Sequence, residues 1–346
     1  MRESPSVGGS EEPRLLRALL VAGGAGLSLL TLWAALDGPG YFHDLVRQFP
    51  AQLAGALAVC AVPLLVWRRR GVALLLLPAI LWNMSLLGAR FQPPPAAPGT
   101  HGLPSEAEGG EAEPAIELLF FNVLGRNARF ADLADFIIDS GADLAVIAEL
   151  RPPLAAHLEA SLPGWRVAAL DAREDNFGLG LLVADAASPR LEVSNPRVTR
   201  LIDDIQRRPS VEADLRWAGR SARLLGVHLE PPTSPSDAQR RALEVAAITA
   251  WHAAPTEPAI VVGDLNTTPW GKDFAPLLDS GLSDGARGFG LQPTWPADLP
   301  PGLRIPLDHV LHDPELRTVG HRVGPALGSD HLALRVRLRW AATGRP

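Results

Sequence analysis

The chain has 346 residues, enough for one large domain with an attachment or for two ordinary domains. Its formal net charge of −6 at pH 7 argues against a basic protein that coats nucleic acid non-specifically. The single cysteine, Cys60, excludes an intramolecular disulfide and a cysteine-based zinc site.

The first quarter of the chain holds most of the excess apolar character. Residues 1–14 are polar and rich in Gly, Ser and Pro, which predicts a disordered N-terminus. Apolar runs follow at Leu15–Leu36, Ala51–Trp67 and Val72–Ala89. Because a bilayer is crossed by about 20 apolar residues, we predict a membrane region over residues 15–90 with about three transmembrane helices. Two alternatives stay open: a signal peptide cleaved near Ala34, and a buried helical hairpin in a soluble domain.

Three arginines, Arg68 to Arg70, stand in the short loop between the second and third apolar runs. The positive-inside rule places such a loop in the cytoplasm, so everything after Ala89 is predicted to lie outside it. The prediction is a multi-pass cell-membrane protein whose partner is the lipid bilayer, with an extracytoplasmic domain and no protein partner. Residues 91–114 form a Pro/Gly/acidic linker, expected to be extended and solvated.

Residues 115–346 show a mixed α and β pattern. Strands are predicted at Ile116–Val123, Asp143–Ala148, Gly178–Ala184, Leu191–Thr199, Ser210–Leu215, Ala222–Val227, Ala259–Val262, Leu307–Leu311 and Leu332–Leu338. Helices are predicted at Phe130–Ser140, Pro153–Leu162, Asp237–Ala253 and Phe274–Leu278. Few, unevenly spaced helices do not suit a strict βαβ alternation. They favour a four-layer α/β sandwich, in which two packed mixed β-sheets are flanked by helices.

Polar side chains stand where several of these strands end. Asp264 and Asn266 follow the run Ala259–Val262 and stand two residues apart. At the end of a strand, this spacing can direct both side chains into the same cleft. Alone, this pair would favour a simple Asx turn. The same placement recurs, however, at other predicted strand ends, at Asn122, Glu149, His228 and Asp308, and Asp330-His331 precedes the last strand.

Six motifs in this order resemble the endonuclease/exonuclease/phosphatase superfamily, which includes pancreatic deoxyribonuclease, bacterial sphingomyelinases and inositol-polyphosphate phosphatases. They are Asn122-Val-Leu, Glu149, Val227-His-Leu, Gly263-Asp-Leu-Asn-Thr-Thr-Pro-Trp270, Leu307-Asp-His309 and Gly328-Ser-Asp-His331. The resemblance covers roughly residues 115 to 340 and implies the sandwich fold and hydrolysis of a phosphoester. Ala148 departs from the pattern, since many relatives carry Gln there, and so removes a polar neighbour of Glu149.

The resemblance implies a metal site at Asn122, Glu149 and Asp330. Carboxylate and amide oxygens suit Mg²⁺, with Mn²⁺ as an alternative. Asn122 is also a candidate phosphate contact, as is Asn176, and Asn127 and Arg208 fit family positions less closely.

The resemblance also implies the catalytic residues. Asp264 orients or deprotonates the attacking water, and Asn266 contacts the phosphate. Asp308 orients His331, and a histidine held by a carboxylate suits general acid–base work or phosphate binding. His309 is expected to point to the opposite face of its strand and to be structural.

His228 indicates the branch, because abasic-site nucleases of the superfamily place a tyrosine there and this chain's one tyrosine is Tyr41. In the histidine-bearing branch of deoxyribonuclease and sphingomyelinase, this residue binds phosphate or protonates the leaving oxygen. The predicted function is a membrane-tethered, Mg²⁺-dependent phosphodiesterase. The substrate is left open among a phospholipid headgroup, a small phosphodiester and nucleic acid. Two alternatives are a membrane-anchored nuclease and a catalytically silent binding module.

Overall fold

The computed structural model describes residues 14–36, 38, 40–92, 114–187, 190–203, 206–254 and 257–342. Most of the predicted disordered N-terminus and of the predicted linker lies outside these residues. The chain divides into two compact units, Met1–Leu87 and Gly88–Pro346.

The first unit is helical. Its elements are α1 (Arg14–Ala35), α2 (Tyr41–Arg47), α3 (Pro50–Val66) and α4 (Arg70–Gly88), which runs on into a short 3-10 turn, Ala89–Phe91. Two segments, Arg14–Ala35 and Arg70–Phe91, are long and apolar enough to cross a membrane. The helices α2 and α3 form a third candidate span if they are taken together, although they are bent by 71° at their junction. The sequence therefore supplies two candidate spans, or three with the bent pair.

Helices α1 and α4 share a polar contact and a close approach. The side chain of Asn83 donates a hydrogen bond to the Thr31 hydroxyl at 3.1 Å, and both residues are buried. A Cβ on Gly24 would lie 2.8 Å from the Leu76 side chain, so glycine permits the close packing there. Outward-facing leucines and valines, by contrast, are exposed, as expected for apolar helices with no soluble partner.

The second unit contains two six-stranded sheets. Sheet A has the order β11-β12-β1-β2-β4-β3 and sheet B the order β5-β6-β7-β8-β10-β9. The strands are β1 (Ile116–Asn122), β2 (Leu144–Ala148), β3 (Trp165–Asp171), β4 (Leu179–Ala184), β5 (Leu191–Thr199), β6 (Ser210–Trp217), β7 (Arg220–His228), β8 (Ala259–Asp264), β9 (Ser283–Asp284), β10 (Asp308–His312), β11 (Leu316–Val323) and β12 (Leu334–Trp340). The helices are α5 (Phe130–Asp139), α6 (Pro152–Ser161), α7 (Pro235–Ala253) and α8 (Ala275–Asp279).

The apolar faces of the two sheets pack on each other. Phe120 and Val146 of sheet A and Leu224 and Val262 of sheet B belong to this central cluster. The outer face of sheet A packs on α5 and α6, and that of sheet B packs on α7 and α8. The central strands are buried on both faces, which explains their nearly continuous apolar runs. The layers are thus helix, sheet, sheet and helix, and the predicted fold class is confirmed.

Both sheets have a parallel pair at their centre. In sheet A, β1 runs parallel to β2 and pairs Asn122 with Ala148. In sheet B, β7 runs parallel to β8 and pairs His228 with Asp264. The antiparallel β10 places its first residue, Asp308, opposite Asp264. The polar residues that end these strands therefore meet at one edge of the sandwich.

Candidate active site

A buried line of three side chains occupies the centre of this edge. The Nδ1 atom of His331 donates to the Asp308 carboxylate at 2.9 Å. The other ring nitrogen, Nε2, lies 3.5 Å from Oδ2 of Asp264. Burial lowers the pKa of His331, but the carboxylates of Asp308 and Asp264 outweigh this and raise it to about 10. His331 is therefore an imidazolium at neutral pH, held between two carboxylates.

His228 approaches Asp264 as well. Its Nε2 lies 3.6 Å from Oδ2 of Asp264. Burial lowers the pKa of His228, and the charge of Asp264 only partly offsets this. The Phe177 ring packs 5.4 Å from the imidazole, centroid to centroid, and the backbone of Asn176 lies beside it. The site thus holds two histidines that burial and charge drive toward opposite protonation states.

The Asp264 carboxylate lies within contact distance of most of the other site residues. Burial raises its pKa, while His331 and His228 pull it down. Its carboxylate accepts from the backbone N–H of Asn266 at 2.9 Å and from the Asn122 amide at 3.1 Å. The Asn266 side chain donates to the Leu229 carbonyl at 2.8 Å, and its backbone has a positive φ of 49°. This left-handed conformation turns the chain away from the end of β8 and keeps Asn266 at the edge of the sandwich where the site residues meet.

A second acidic group lies on the sheet A side. Glu149 is 9% exposed and accepts from the Asn122 amide at 3.1 Å and from the Gly125 N–H at 2.8 Å. Burial raises the pKa of Glu149 despite these bonds. Because Asn122 donates to both Glu149 and Asp264, its amide links the two carboxylates.

Asp330 completes this group. Its Oδ2 accepts from the indole N–H of Trp295 at 3.3 Å, and its charge acts on both Glu149 and His331. Within the part of the chain that the structure describes, its buried Oδ1 has no hydrogen-bond partner. A carboxylate oxygen that binds a cation needs no hydrogen-bond donor, so this unpartnered buried oxygen suits a metal ligand.

Among the residues that the structure describes, one group of donors has the dimensions of a metal site. Asp264, Asp308 and His331 each offer one ligand atom, and these atoms lie within 4.8 Å of one another. The Asp308 carboxylate is, however, already bound to the Nδ1–H of His331, and His331 is protonated. This hydrogen bonding suits an acid–base group, and the carboxylates of Glu149 and Asp330 offer further oxygen donors for a hard ion.

Three further residues from the sequence analysis have structural contacts. His309 faces away from Asp308, with Nε2 2.9 Å from the Thr267 carbonyl and its ring against Phe274. Asn127 donates to the carbonyls of Val123 and Leu327, at 2.9 and 3.1 Å, and so fixes the loop after β1. Arg208 pairs with Glu230 and with Glu244 and lies over the Phe177 ring.

Sequence reasoning missed two residues that hold the site together. The Ser329 hydroxyl donates to the Asn122 carbonyl at 2.6 Å and accepts from the His331 N–H at 3.0 Å. Arg241 is fully buried, pairs with Asp273 at 2.8 Å and donates to the carbonyl of Asn266. Ser329 could have been noticed inside the Gly328-Ser-Asp-His331 motif. The one sequence signal for Arg241 was its position, because it is a charged residue among the apolar residues that repeat along one face of α7.

The two-sheet sandwich with this cluster of carboxylates, amides and histidines at one edge is typical of enzymes that act on phosphoesters. The model of the endonuclease/exonuclease/phosphatase family matches residues 119–331, which is more than half of the chain. The chain belongs to this family, whose members are divalent-metal-dependent hydrolases of phosphoesters.

Solved structures share the fold at low sequence identity. D. rerio TDP2 complexed with a single-strand DNA product is 17% identical over 65% of this chain and 99% of that one, with a TM-score of 0.53. A family protein from Bacteroides thetaiotaomicron is 12% identical over 67% of this chain and 100% of that one (TM-score 0.54). The mannosyl-6-phosphatase of the same organism is 13% identical over 65% of this chain and 100% of that one, with a TM-score of 0.51. No curated protein matches the chain significantly.

Proposed function

We propose that the chain is a membrane-tethered, divalent-metal-dependent phosphodiesterase whose catalytic unit acts outside the cytoplasm. The observation that carries this proposal is the buried line Asp308–His331–Asp264 beside the Glu149 and Asp330 carboxylates. The line supplies acid–base groups, and the two carboxylates supply oxygen ligands. Hydrolysis of a phosphoester needs both.

Glu149 and Asp330 would hold the metal ion, and Mg²⁺ fits their hard oxygen donors, with Mn²⁺ as the substitute. The unpartnered Oδ1 of Asp330 supports this assignment. Asn122, the third predicted ligand, donates its amide N–H groups to the carboxylates in this arrangement, which suits positioning them. A bound ion supplies Lewis-acid stabilisation of charge on the phosphoryl oxygens.

Asp264 is the group that orients the attacking water and accepts its proton. Burial raises its pKa toward neutrality, which improves a carboxylate as a base. His331 carries a proton at neutral pH, is held in place by Asp308, and can donate to the phosphate or to the leaving oxygen. His228 has a lowered pKa, so as a neutral ring it favours hydrogen bonding to the phosphate over protonation of the leaving group. Asn266 and Asn176 are the remaining proposed phosphate contacts.

The histidine at position 228 supports the branch of deoxyribonuclease and sphingomyelinase, because the position carries no tyrosine. A nuclease is the second candidate. It is favoured by two arginines near β5, the exposed Arg200 and the half-buried Arg173, which could track a phosphate backbone. Arg173 is paired with Asp175 and Arg200 with Asp171, so their charges are largely balanced. This weakens affinity for long polyanions and supports a small phosphodiester or a phospholipid-like ester over duplex DNA.

Membrane tethering is supported by the candidate spans Arg14–Ala35 and Arg70–Phe91 and by the bent pair between them. Three crossings with Arg68 to Arg70 in the cytoplasm put the catalytic unit outside. With the same arginines in the cytoplasm, two crossings would also put the catalytic unit outside and would move the N-terminus outside with it, so the number of spans decides only the side of the N-terminus.

The test is hydrolysis of bis(4-nitrophenyl) phosphate by the full chain in detergent micelles. We expect turnover with Mg²⁺ or Mn²⁺, none after EDTA, and recovery when Mg²⁺ is restored. Asp264→Asn and His331→Ala should each lower the rate by at least about 10²-fold, the scale of one acid–base group. The matched control is Asp139→Asn, an exposed carboxylate at the end of α5, which should leave the rate unchanged. Near-normal rates in both site variants would overturn the assignment, and a metal-independent rate would overturn the mechanism.

A further inference from the structure

A cavity of about 240 Å³ opens beside Glu149. Its walls include Gly125, Arg126, Asn127, Phe130, Arg151 and Leu154. Cavities that enclose a whole small-molecule ligand usually measure about 300–1,000 Å³, so this one suits a single substituent of a substrate. Its position next to a proposed metal ligand places that substituent near the scissile phosphate. We call it the Glu149 cavity.

The loop after β1 that forms one wall is firmly held. The Gly125 N–H donates to Glu149 Oε2 at 2.8 Å, and the Asn127 amide donates to two carbonyls. A Cβ on Gly125 would lie 2.9 Å from Oδ1 of Asn176 and 3.1 Å from Cδ of Arg151. The absence of a side chain at residue 125 therefore lets three parts of the chain meet there. Arg126 is fixed between two anchored residues, so its exposed side chain is presented from a rigid backbone.

Two cations line the cavity. Among the residues that the structure describes, Arg126 has no ion-pair partner. Arg151 pairs with Glu174 at 2.8 Å, but the Glu174 side chain is 75% exposed. An ion pair exposed to that degree contributes little, so a ligand anion can replace Glu174 at small cost. Arginine binds phosphate and carboxylate through two parallel N–H bonds, which makes both side chains suitable anion ligands.

The rest of the cavity is mainly apolar. Leu154 is buried, and Phe130 is half-buried with its ring 5.7 Å from that of His157. The acidic side chain among the described residues of the wall is Glu149, and under the proposed function a bound metal ion would neutralise its charge. The cavity therefore combines an apolar surface with an excess of positive charge.

We infer that the Glu149 cavity binds a second anionic group of the substrate, a phosphate carried by the substituent next to the scissile phosphodiester. The apolar part of that substituent would contact Phe130 and Leu154, and Arg126 and Arg151 would bind the phosphate. This inference rests on the proposed function, since it takes Glu149 to lie in the reaction centre. A headgroup with a quaternary ammonium, such as choline, is disfavoured because two arginines repel it. A nucleotide and a phosphorylated polyol headgroup share the required chemistry.

The test compares substrates that differ by one phosphate. The first pair is the 4-nitrophenyl ester of thymidine 5′-phosphate with and without a 3′-phosphate, and both members release 4-nitrophenol. The second pair is glycerophosphoinositol with and without a phosphate on the inositol ring. We expect the full chain in micelles to show a kcat/KM about tenfold or more higher for the doubly phosphorylated member of at least one pair. The pair that shows the preference identifies the source of the second phosphate.

Arg126→Ala and Arg151→Ala should each reduce that preference several-fold, measured as the ratio of kcat/KM values within a pair. Arg216→Ala is the matched control. Arg216 is an exposed arginine near the end of β6. That end of β6 pairs with the start of β7 (Trp217 with Arg220), whereas His228 is the last residue of β7, so the two residues lie at opposite ends of the strand pair. This control variant should leave the ratio unchanged. Equal rates within both pairs, or a preference that survives both arginine variants, would overturn this inference alone. No hydrolysis of any of the four esters would instead overturn the proposed function.

Discussion

The Asp308–His331 contact gives a prediction about pH. The Asp308→Asn variant removes the charge that most strongly opposes the effect of burial on His331. With Asp264 as the main remaining carboxylate, the pKa of His331 should fall from about 10 to near its ordinary value of 6.5. At pH 8, a group with that ordinary value is protonated in about one molecule in 30, since each pH unit above the pKa is a factor of ten. In the wild-type enzyme the group is almost fully protonated at this pH.

If protonated His331 is the active form, the variant should lose about 30-fold or more in kcat/KM at pH 8. It should lose much less at pH 5.5, where both enzymes carry the proton. In the wild type the raised pKa keeps the proton on His331 as the pH rises, whereas the variant loses this proton at a lower pH. The assay is the pH–rate profile for bis(4-nitrophenyl) phosphate with saturating Mg²⁺, with Asp139→Asn as the control. A loss of the same factor at pH 5.5 and at pH 8 would refute the reasoning, because it would show that protonation of His331 does not limit the rate.

Two other predictions concern the fold and the membrane region. Gly263→Ala should lower the thermal unfolding midpoint strongly, because the new Cβ would lie 2.0 Å from the Val227 carbonyl in the parallel β7–β8 pair. Gly302→Ala, whose Cβ meets no atom within 4 Å, should change it little, and equal midpoints for the two variants would contradict the close approach. A reporter that is active only outside the cytoplasm, fused after Ala89, should be active, and replacing Arg68 to Arg70 with neutral residues should scramble this orientation. Activity of only a cytoplasmic reporter at that position would rule out the three-span topology.

The buried strands could be predicted because each has a strong local signal. Runs such as Ala259–Val262 are apolar and β-branched, and a polar residue marks the point where each one ends. Because β1 and β2 are parallel neighbours, as are β7 and β8, such end residues meet at one edge. The family motifs supplied the pairing of Asp308 with His331, which no local pattern indicates.

The two edge strands of sheet A were not predicted, for a physical reason, whereas β5 (Leu191–Thr199), at the edge of sheet B, was predicted with its observed bounds. The strands β3 (Trp165–Asp171) and β11 (Leu316–Val323) lie at the two ends of sheet A, where side chains are mostly half-exposed and arginines are tolerated. Both also carry a register irregularity, between Val167 and Ala169 and between Thr318 and Gly320. A bulge breaks the alternation of apolar and polar residues by which a strand is predicted. The short strand β9 was missed as well.

The contacts that support the site were also beyond the sequence. Arg241 and Asp273 are 32 residues apart and form a buried ion pair, whereas an arginine in an amphipathic helix is ordinarily expected on its exposed face. The Glu149 cavity combines Arg126 with Arg151, which belong to different loops. Only the folded chain brings such residues together.

The central claim is that Glu149 serves the metal ion while Asp308 and His331 serve proton transfer. It is tested most directly by the rate of bis(4-nitrophenyl) phosphate hydrolysis as a function of Mg²⁺ concentration, for the full chain and for Glu149→Gln and Asp308→Asn. We predict that Glu149→Gln needs a much higher Mg²⁺ concentration for its half-maximal rate. Asp308→Asn should keep the Mg²⁺ dependence of the wild type and lose rate at every concentration. An unchanged Mg²⁺ dependence in Glu149→Gln, together with a shifted one in Asp308→Asn, would contradict the account and place the metal ion at Asp264, Asp308 and His331.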